Sequence, residues 1–278
     1  MKRSTTFREP AAKSPRILRA GAAPIVISLL AAAACGGSTN PLSPSVSPSG
    51  TGLPLASASA HYEYHYASGD TVDAGWQEQY HEWATARLGV QLPQKVCYYK
   101  YQSRQDMGDH TGKYNTNGFA DVARFEIHVL APIDNHEVVH LLMSVIGNSS
   151  ALFSEGVAVA FQTDPANGVF ESRFNREEVH QAARRYLESG ELVLPLDRII
   201  ESNGFRAITD SVLSYREAGS FVRFLIDRYG LDRFLAFYRS GLMPDSAKAV
   251  IKARFQSATG VSFEEAEAAW LDMLRARG

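Results

Sequence analysis

The sequence contains very little cysteine: Cys35 and Cys97 are its only two among 278 residues. A small scaffold held together by several disulfides is therefore excluded. The chain also lacks an apolar run long enough to cross a bilayer stably. The run at residues 22–34 is too short for a membrane span and is interrupted by Pro24 and Ser28.

A marked excess of basic charge is absent as well, because 28 basic and 30 acidic residues give a formal net charge of −2. The first 34 residues hold six of the basic groups but only Glu9 among the acidic ones, so the remainder is more acidic still. Nucleic acid, which favours a basic patch, is not an expected partner. Hydrophobic content of 45% and charged content of 21% are those of an ordinary globular protein.

The N-terminal segment has the order of an export signal, and residues 1–34 are predicted to be a signal peptide. A basic region precedes the apolar run at 22–34. Its basic residues are Lys2, Arg3, Arg8, Lys13, Arg16 and Arg19.

The end of this signal fits two kinds of processing. Ala32-Ala33-Ala34 satisfies the small-residue rule of ordinary cleavage, which would give a secreted soluble protein. Ala33-Ala34-Cys35-Gly36 also resembles the lipobox of bacterial lipoproteins, in which the cysteine is lipidated and becomes the new N-terminus. This resemblance favours a lipid anchor at Cys35, at the membrane of a bacterial cell envelope, because a low-complexity tether follows.

Residues 35–60 are predicted to be a disordered linker. The stretch is rich in Ser, Pro, Gly and Thr and carries no charge, a composition that cannot bury enough apolar surface to fold. The folded domain is accordingly predicted at residues 61–278. It divides into a β-containing part at 61–147 and a helical part at 148–278.

The pattern of the folded part predicts an α+β domain. Strand-like alternation marks residues 61–66, 95–101 and 124–130. Helical spacing marks residues 73–88, and residues 108–118 are predicted to be a loop at the rim of a site. Strand signals nearly vanish in the last hundred residues, where five helices are predicted. These helices cover residues 175–188, 210–229, 231–240, 245–258 and 263–277.

Two histidines of the first predicted strand could attract a metal assignment. His61 and His65 share a face, but positions i and i+4 of a strand stand about 13 Å apart, too far for one ion. They are therefore predicted to belong to a surface or half-buried strand. Cys97 lies within the strand predicted at 95–101 and is expected to be a packing residue rather than a reactive thiol.

Residues 136–140 read His-Glu-Val-Val-His, and this stretch carries the chemistry. Histidines four apart on a helix point the same way, so His136 and His140 can bind one metal ion while Glu137 lies beside the metal-bound water. A catalytic zinc needs a third protein ligand. Glu155 is the candidate, because its carboxylate is embedded among small and apolar residues, where burial is costly unless a metal or base offsets the charge.

These two motifs together resemble the gluzincin zinc metallopeptidases, most closely the peptidase-MA-like bacterial domains, in which a Ser-Glu-Gly motif follows the histidine helix. The resemblance covers roughly residues 118–239. It implies a zincin-like α+β fold, with a small mixed sheet in the N-terminal half packed on an active-site helix and a helical C-terminal half. It also implies that His136, His140 and Glu155 bind Zn²⁺ and that Glu137 is the general base.

The resemblance extends to a later helix at residues 215–225. Tyr215 matches a tyrosine that stabilises the oxyanion in aminopeptidase-like relatives, although three residues here, rather than the usual two, separate it from Gly219. Thermolysin-like members place an Asp four residues after the glutamate ligand, where this chain has Val159. Support for a ligand histidine is therefore expected from Asp134 or Asp164.

The function implied is that of an exported zinc metallopeptidase acting on peptide or protein substrates. A strand at 118–121 or 124–130 would align an extended peptide by β-augmentation. The chain has no clear counterpart of the amine-binding glutamate of aminopeptidases, which favours an endopeptidase. The sequence does not specify the oligomeric state.

Two other functions are compatible with the same sequence. One is a catalytically silent gluzincin-like lipoprotein that acts as a binding module in the cell envelope. The intact Glu137 argues against it, since a structural zinc site has no use for an unliganded carboxylate. The other is a surface-anchored helical interaction protein that binds no metal.

Overall fold

The structure is a computed structural model that describes residues 52–164 and 170–276. The predicted signal peptide at 1–34, the lipidation site Cys35 and most of the predicted linker at 35–60 lie outside the described residues. Within those ranges, no helix combines the length and the apolar character that a membrane span requires.

Short strands dominate the first half of the described chain and helices the second. The strands are β1 (Leu55–Ala58), β2 (Tyr62–His65), β3 (Val96–Lys100), β4 (Gly118–Asp121), β5 (Glu126–Val129), β6 (Arg173–Phe174) and β7 (Glu177–Glu178). The helices are α1 (Ala74–Leu88), α2 (Arg104–Thr111), α3 (Glu137–Ile146), α4 (Ala151–Ala160), α5 (Val179–Ser189), α6 (Ser202–Arg206), α7 (Ser211–Tyr229), α8 (Leu231–Tyr238), α9 (Lys248–Thr259) and α10 (Phe263–Ala276). A 3₁₀ turn covers Leu196–Arg198.

Five strands form one mixed sheet in the order β1-β2-β3-β5-β4. The three central strands β2, β3 and β5 run parallel, and β1 and β4 pair antiparallel at the two edges. A small mixed sheet in the N-terminal half and a helical C-terminal half confirm the predicted α+β class. The order also makes β4, rather than β5, an edge strand.

The sheet has one apolar face and one mixed face. Tyr62, Tyr64 and Tyr98 belong to the main core together with Val138 and Leu142 of α3, so this face supports the histidine helix. The intervening residues of the same strands point to the opposite face, because side chains alternate along a strand. That face carries the polar residues Glu63, His65, Cys97, Glu126 and His128.

The helix predicted at 73–88 is confirmed, and capping residues define both of its ends. The Asp73 side chain accepts a hydrogen bond from the Trp76 N–H at 2.9 Å, which satisfies one free donor of the first turn. Gly89 ends α1 in the left-handed conformation with φ of 64°. The helices predicted at 210–229, 231–240, 245–258 and 263–277 are confirmed within a few residues.

The predicted end of the linker at residue 60 is wrong, because Leu55–Ala58 forms β1 and pairs with β2. All four side chains of β1 are exposed. Because the strand buries neither face, its sequence does not show the alternation of apolar and polar residues by which a strand is recognised. Backbone hydrogen bonds to the edge of β2 are available to any residue, and they hold this strand in place.

The predicted loop at 108–118 is also partly wrong, because its first residues belong to α2. The Ser103 side chain caps this helix by accepting from the Asp106 N–H, and Gly112 ends it. Only Met107 and Gly108 are buried, so the apolar stripe is too thin to be recognised. The short β6–β7 hairpin and α6 were not predicted either, since two-residue strands and single turns have no periodicity to detect.

Glycines allow α4 and α7 to pack closely. A Cβ atom on Gly156 of α4 would lie 2.8 Å from the Ala218 carbonyl oxygen of α7. A Cβ on Gly219 of α7 would lie 2.3 Å from Val159 Cγ1 of α4. Both contacts are too short for a real side chain, so the two glycines set the distance between the helices.

A buried carboxylate on α7 holds an irregular part of the chain. Glu217 is fully buried, and its Oε2 accepts a hydrogen bond from the Val193 N–H at 3.2 Å. Glu267 of α10 accepts from the nearby Leu196 N–H at 2.8 Å. Burial raises the pKa of Glu217 to about 7; the Val193 N–H opposes this shift and the charge of Glu267 adds to it.

We predict that Glu217→Gln stabilises the protein at pH 8 and leaves its stability at pH 4 unchanged. The pKa of this carboxyl rises from its ordinary value of 4.5 to about 7 in the fold. The folded state therefore holds an extra proton in this window, and the free energy of unfolding falls as the pH rises through it. The gain at pH 8 should be up to about 3 kcal/mol in urea denaturation.

Glu188→Gln is the matched control, because Glu188 lies exposed on α5. This variant should show the same loss of stability between pH 4 and pH 8 as the wild type. An equal effect of Glu217→Gln at both pH values would contradict the assigned role of burial.

Candidate metal centre

The two histidines of the motif meet at the start of α3. His136 is the N-cap residue, and His140 lies in the first turn that follows. Their Nε2 atoms are 3.3 Å apart, as the four-residue spacing on one helical face predicts. The side chains keep 12% and 16% of their surface exposed, so the pair faces a cleft rather than the core.

Glu155 completes a triangle with the two histidines. It belongs to α4, and its Oε2 lies 3.3 Å from His136 Nε2 and 3.3 Å from His140 Nε2. Ligand atoms that share a tetrahedral zinc at bond lengths of about 2.0–2.2 Å lie about 3.3–3.6 Å from one another. The donor types and the edges of this triangle therefore fit a zinc ion.

The electrostatics of the triangle favour a positive charge at its centre. Burial alone would raise the pKa of Glu155, but hydrogen bonds from His136 and His140, and their charge, lower it well below its usual range. Burial alone would lower the pKa of His136. The hydrogen bond to Glu155, together with the charges of Glu155 and Glu137, outweighs burial and raises this pKa to about 9. Without a metal, a proton on His136 can supply this charge, and a metal ion would take its place.

Glu137 lies beside the triangle without being part of it. It is the first residue of α3, and burial raises the pKa of its carboxyl, with only partial opposition from the charge of His136 and His140. A Cβ atom on Gly118 of β4 would lie 3.1 Å from Glu137 Oε1. Glycine at this position therefore lets the edge strand approach the carboxylate.

Tyr215 reaches the site from α7. Its ring stacks on the His136 ring at a centroid distance of 5.8 Å. Burial raises the pKa of Tyr215 far above the usual range, and the charge of Glu155, with which its hydroxyl forms a hydrogen bond, adds to this shift. The hydroxyl is therefore a hydrogen-bond donor at any physiological pH.

Asp134 supports the site through the backbone. Its Oδ1 accepts hydrogen bonds from the backbone N–H groups of His136, Glu137 and Val138 at 3.1, 2.6 and 3.2 Å. It thus caps α3 and does not orient a histidine ring. Asp164, the other candidate for that support, follows α4 in an irregular segment.

The two histidine rings receive different support. Ser154 lies 3.4 Å from His140 Nδ1 through its hydroxyl, whereas His136 Nδ1 has no hydrogen-bond partner among the described residues. Stacking on Tyr215 therefore orients the His136 ring. Ser154 was not singled out from the sequence, although it directly precedes the glutamate ligand in the Ser-Glu-Gly motif.

Two cavities meet at the triangle. One, of about 370 Å³, contains His136, His140 and Glu155, with Arg206 and Tyr238 in its wall. A second cavity of about 550 Å³ shares His136, Glu137 and Tyr215 with the first. Arg206 and Tyr238 had no motif by which the sequence could reveal them.

The rim predicted at 108–118 is present in part. Residues 115–118 line the second cavity, and Gly118 borders both. His110, in contrast, lies on α2 within 3.4 Å of Asp106.

Comparison of the chain with protein-family models and with curated proteins found no match.

We predict that Asp134→Ala destabilises the protein by at least about 1–2 kcal/mol, because three backbone donors of α3 lose their acceptor. Asp134→Asn keeps an oxygen at the capping position, so this variant should lose clearly less stability than Asp134→Ala. Urea denaturation of the metal-free protein measures both changes. Equal losses for the two variants would show that the charge, and not the cap, is what α3 requires.

Proposed function

We propose that this chain is a zinc-dependent metallopeptidase with a gluzincin-like site on a zincin-like fold. One observation carries the proposal: two imidazoles and a carboxylate form a triangle with 3.3 Å edges, and a fourth group, the second carboxylate Glu137, stands beside it in an open cleft. A structural site has no need of the fourth group. His136, His140 and Glu155 would hold the zinc ion.

Zinc, when bound there, would lower the pKa of its water and polarise the scissile carbonyl. The remaining chemistry belongs to side chains of the protein. Glu137 accepts the proton of the attacking water and passes it to the leaving amine. The raised pKa of Glu137 suits this exchange, because a carboxyl group with a pKa closer to neutral both takes and releases a proton more readily.

Tyr215 is the proposed donor to the oxyanion. Its hydroxyl stays protonated, and its ring is held against His136, so a donor stands ready beside the ligand cluster. Such a donor strengthens its hydrogen bond as negative charge develops on the carbonyl oxygen.

The proposed substrate is an extended segment of a peptide or protein, cut internally. β4 is the edge strand of the sheet and lines the first cavity, so its free edge can pair with a substrate strand by β-augmentation. The cavities on either side of Glu137 leave room for residues before and after the scissile bond. This arrangement supports an endopeptidase.

The proposed place of action is the bacterial cell envelope, reached by export and held by a lipid at Cys35. This part rests on the sequence of the first 36 residues alone. Cleavage without lipidation would give a secreted form of the same enzyme.

We predict that Glu137→Gln abolishes peptide cleavage while zinc binding is retained. The amide cannot accept the proton, so kcat/KM should fall by about 10²–10⁴-fold. Metal analysis and cleavage of a peptide library by the purified protein measure the two properties separately. The zinc content should be the same in both proteins, because Glu137 is not one of the three proposed ligands.

Glu82→Gln is the matched control, because Glu82 is exposed on α1. It should cleave as the wild type does. Zinc binding without cleavage of any peptide by the wild type would favour the silent binding module instead. Failure to bind zinc after reconstitution would contradict both functions.

We predict that Tyr215→Phe lowers kcat by about 10²–10³-fold and changes KM little, since the lost hydrogen bond acts mainly in the transition state. The phenyl ring can still stack on His136, so zinc content should stay the same. Steady-state kinetics with a cleaved peptide provide the measurement. An unchanged kcat would remove Tyr215 from the mechanism.

A further inference from the structure

A second group of metal-ligand side chains lies on the mixed face of the sheet. Glu63 and His65 are two apart on β2 and therefore share this face. The parallel register places Cys97 of β3 directly beside Glu63. Each of the three residues offers one ligand atom, and these atoms all lie within 4.8 Å of one another.

His65 is arranged as a metal-binding histidine. The residue is only 7% exposed, and its Nδ1 lies 3.3 Å from the Leu53 carbonyl oxygen. A carbonyl oxygen can only accept a hydrogen bond, so Nδ1 of the neutral imidazole carries the proton as the donor. Nε2 therefore keeps its lone pair. Nε2 is buried and has no hydrogen-bond partner among the described residues. A buried nitrogen lone pair without a partner is costly, and a metal ion would satisfy it.

The surroundings of Cys97 also favour a cation. Its thiol is free and half-buried. Burial raises the pKa of the thiol, and the carboxylates of Glu63 and Glu126 raise it further. The two carboxylates make the electrostatic potential at the Cys97 sulfur negative. This potential disfavours an isolated thiolate and attracts a positive ion.

We propose that Glu63, His65 and Cys97 form a second zinc site, which joins β2 to β3 on the face of the sheet opposite the core. Thiolate, imidazole and carboxylate are all ligands that zinc takes at bond lengths of about 2.0–2.3 Å. Binding would draw the ligand atoms together by up to about 1.5 Å, and the half-buried Glu63 side chain can contribute to this movement. The thiol proton of Cys97 leaves to solvent when the ion enters.

This site is independent of the proposed active site. His136, His140 and Glu155 include no cysteine, whereas the second site depends on one. The sheet core separates the mixed face from α3, so the two ions would share no ligand. Its role is structural, because an ion held by two neighbouring strands resists their separation.

Cobalt(II) distinguishes the two sites, since a thiolate bound to cobalt gives a charge-transfer absorption in the near ultraviolet and nitrogen and oxygen ligands do not. The test uses the full chain with Cys35→Ser, which leaves Cys97 as the only thiol. Titration with cobalt should produce the thiolate band, saturating at one equivalent for this site. His140→Ala in the same background should keep the band.

The same cobalt titration tests each proposed ligand through a variant that removes it. Cys97→Ser should abolish the band, and His65→Ala should weaken cobalt binding at this site by more than about tenfold. Glu63→Gln should weaken it as well. Absence of the band in the starting protein, or an undiminished band in both His65→Ala and Glu63→Gln, would overturn the proposal, because the thiol would then bind no cobalt or bind it alone.

Thermal unfolding provides a second measurement that does not depend on a spectrum. In the His140→Ala background, Zn²⁺ should raise the unfolding temperature through the second site. The additional change Cys97→Ser should remove this rise while leaving the unfolding temperature without metal nearly unchanged, because Ser closely matches Cys in size. An equal rise in both proteins would contradict a zinc site at Cys97.

Discussion

The contact between the Glu155 carboxylate and the imidazoles of His136 and His140 is the constraint on which the rest of the fold depends. A carboxylate on a helix of small and apolar residues is unfavourable unless a positive charge lies within a few ångströms. That charge must come from α3, so α4 has to return beside it after a short connection. Gly156, the next residue, then admits α7 close enough to bring Tyr215 to the same point. His136 and Glu137, Glu155 and Tyr215 thus come from three helices that share one packing arrangement.

The sheet contributes to the same site from the other side. Its apolar face supports α3 through Val138 and Leu142, while β4 at its edge passes close to Glu137. A Cβ atom at position 118 would lie 3.1 Å from Glu137 Oε1, so a larger residue there would need a shift of a few tenths of an ångström. The architecture therefore couples the position of an edge strand to the position of the Glu137 carboxylate.

Local signals in the sequence were sufficient for several features and could not reveal others. Helical spacing at residues 73–88 identified α1, and the His-Glu-Val-Val-His spacing with a carboxylate among small and apolar residues at 155 identified the cluster of His136, His140 and Glu155. β1 and α2 have almost no apolar pattern, so composition alone misassigned them. The juxtaposition of Glu63 and Cys97 depends on the pairing of strands that are 34 residues apart, and no local pattern encodes such a register. The cap at Asp134 was likewise placed among supporting residues, but its actual partner is the backbone.

The histidine helix begins at the site and does not run through it, since His136 is its N-cap and Glu137 its first residue. The aligned peptide units of α3 therefore present the positive end of the helix dipole, equivalent to about half a unit charge, to the carboxylate of Glu137. This field favours the ionised form, whereas burial favours the protonated one. The helix direction and the enclosure of the cleft thus act on Glu137 in opposite senses, and the balance between them sets how readily this group exchanges a proton.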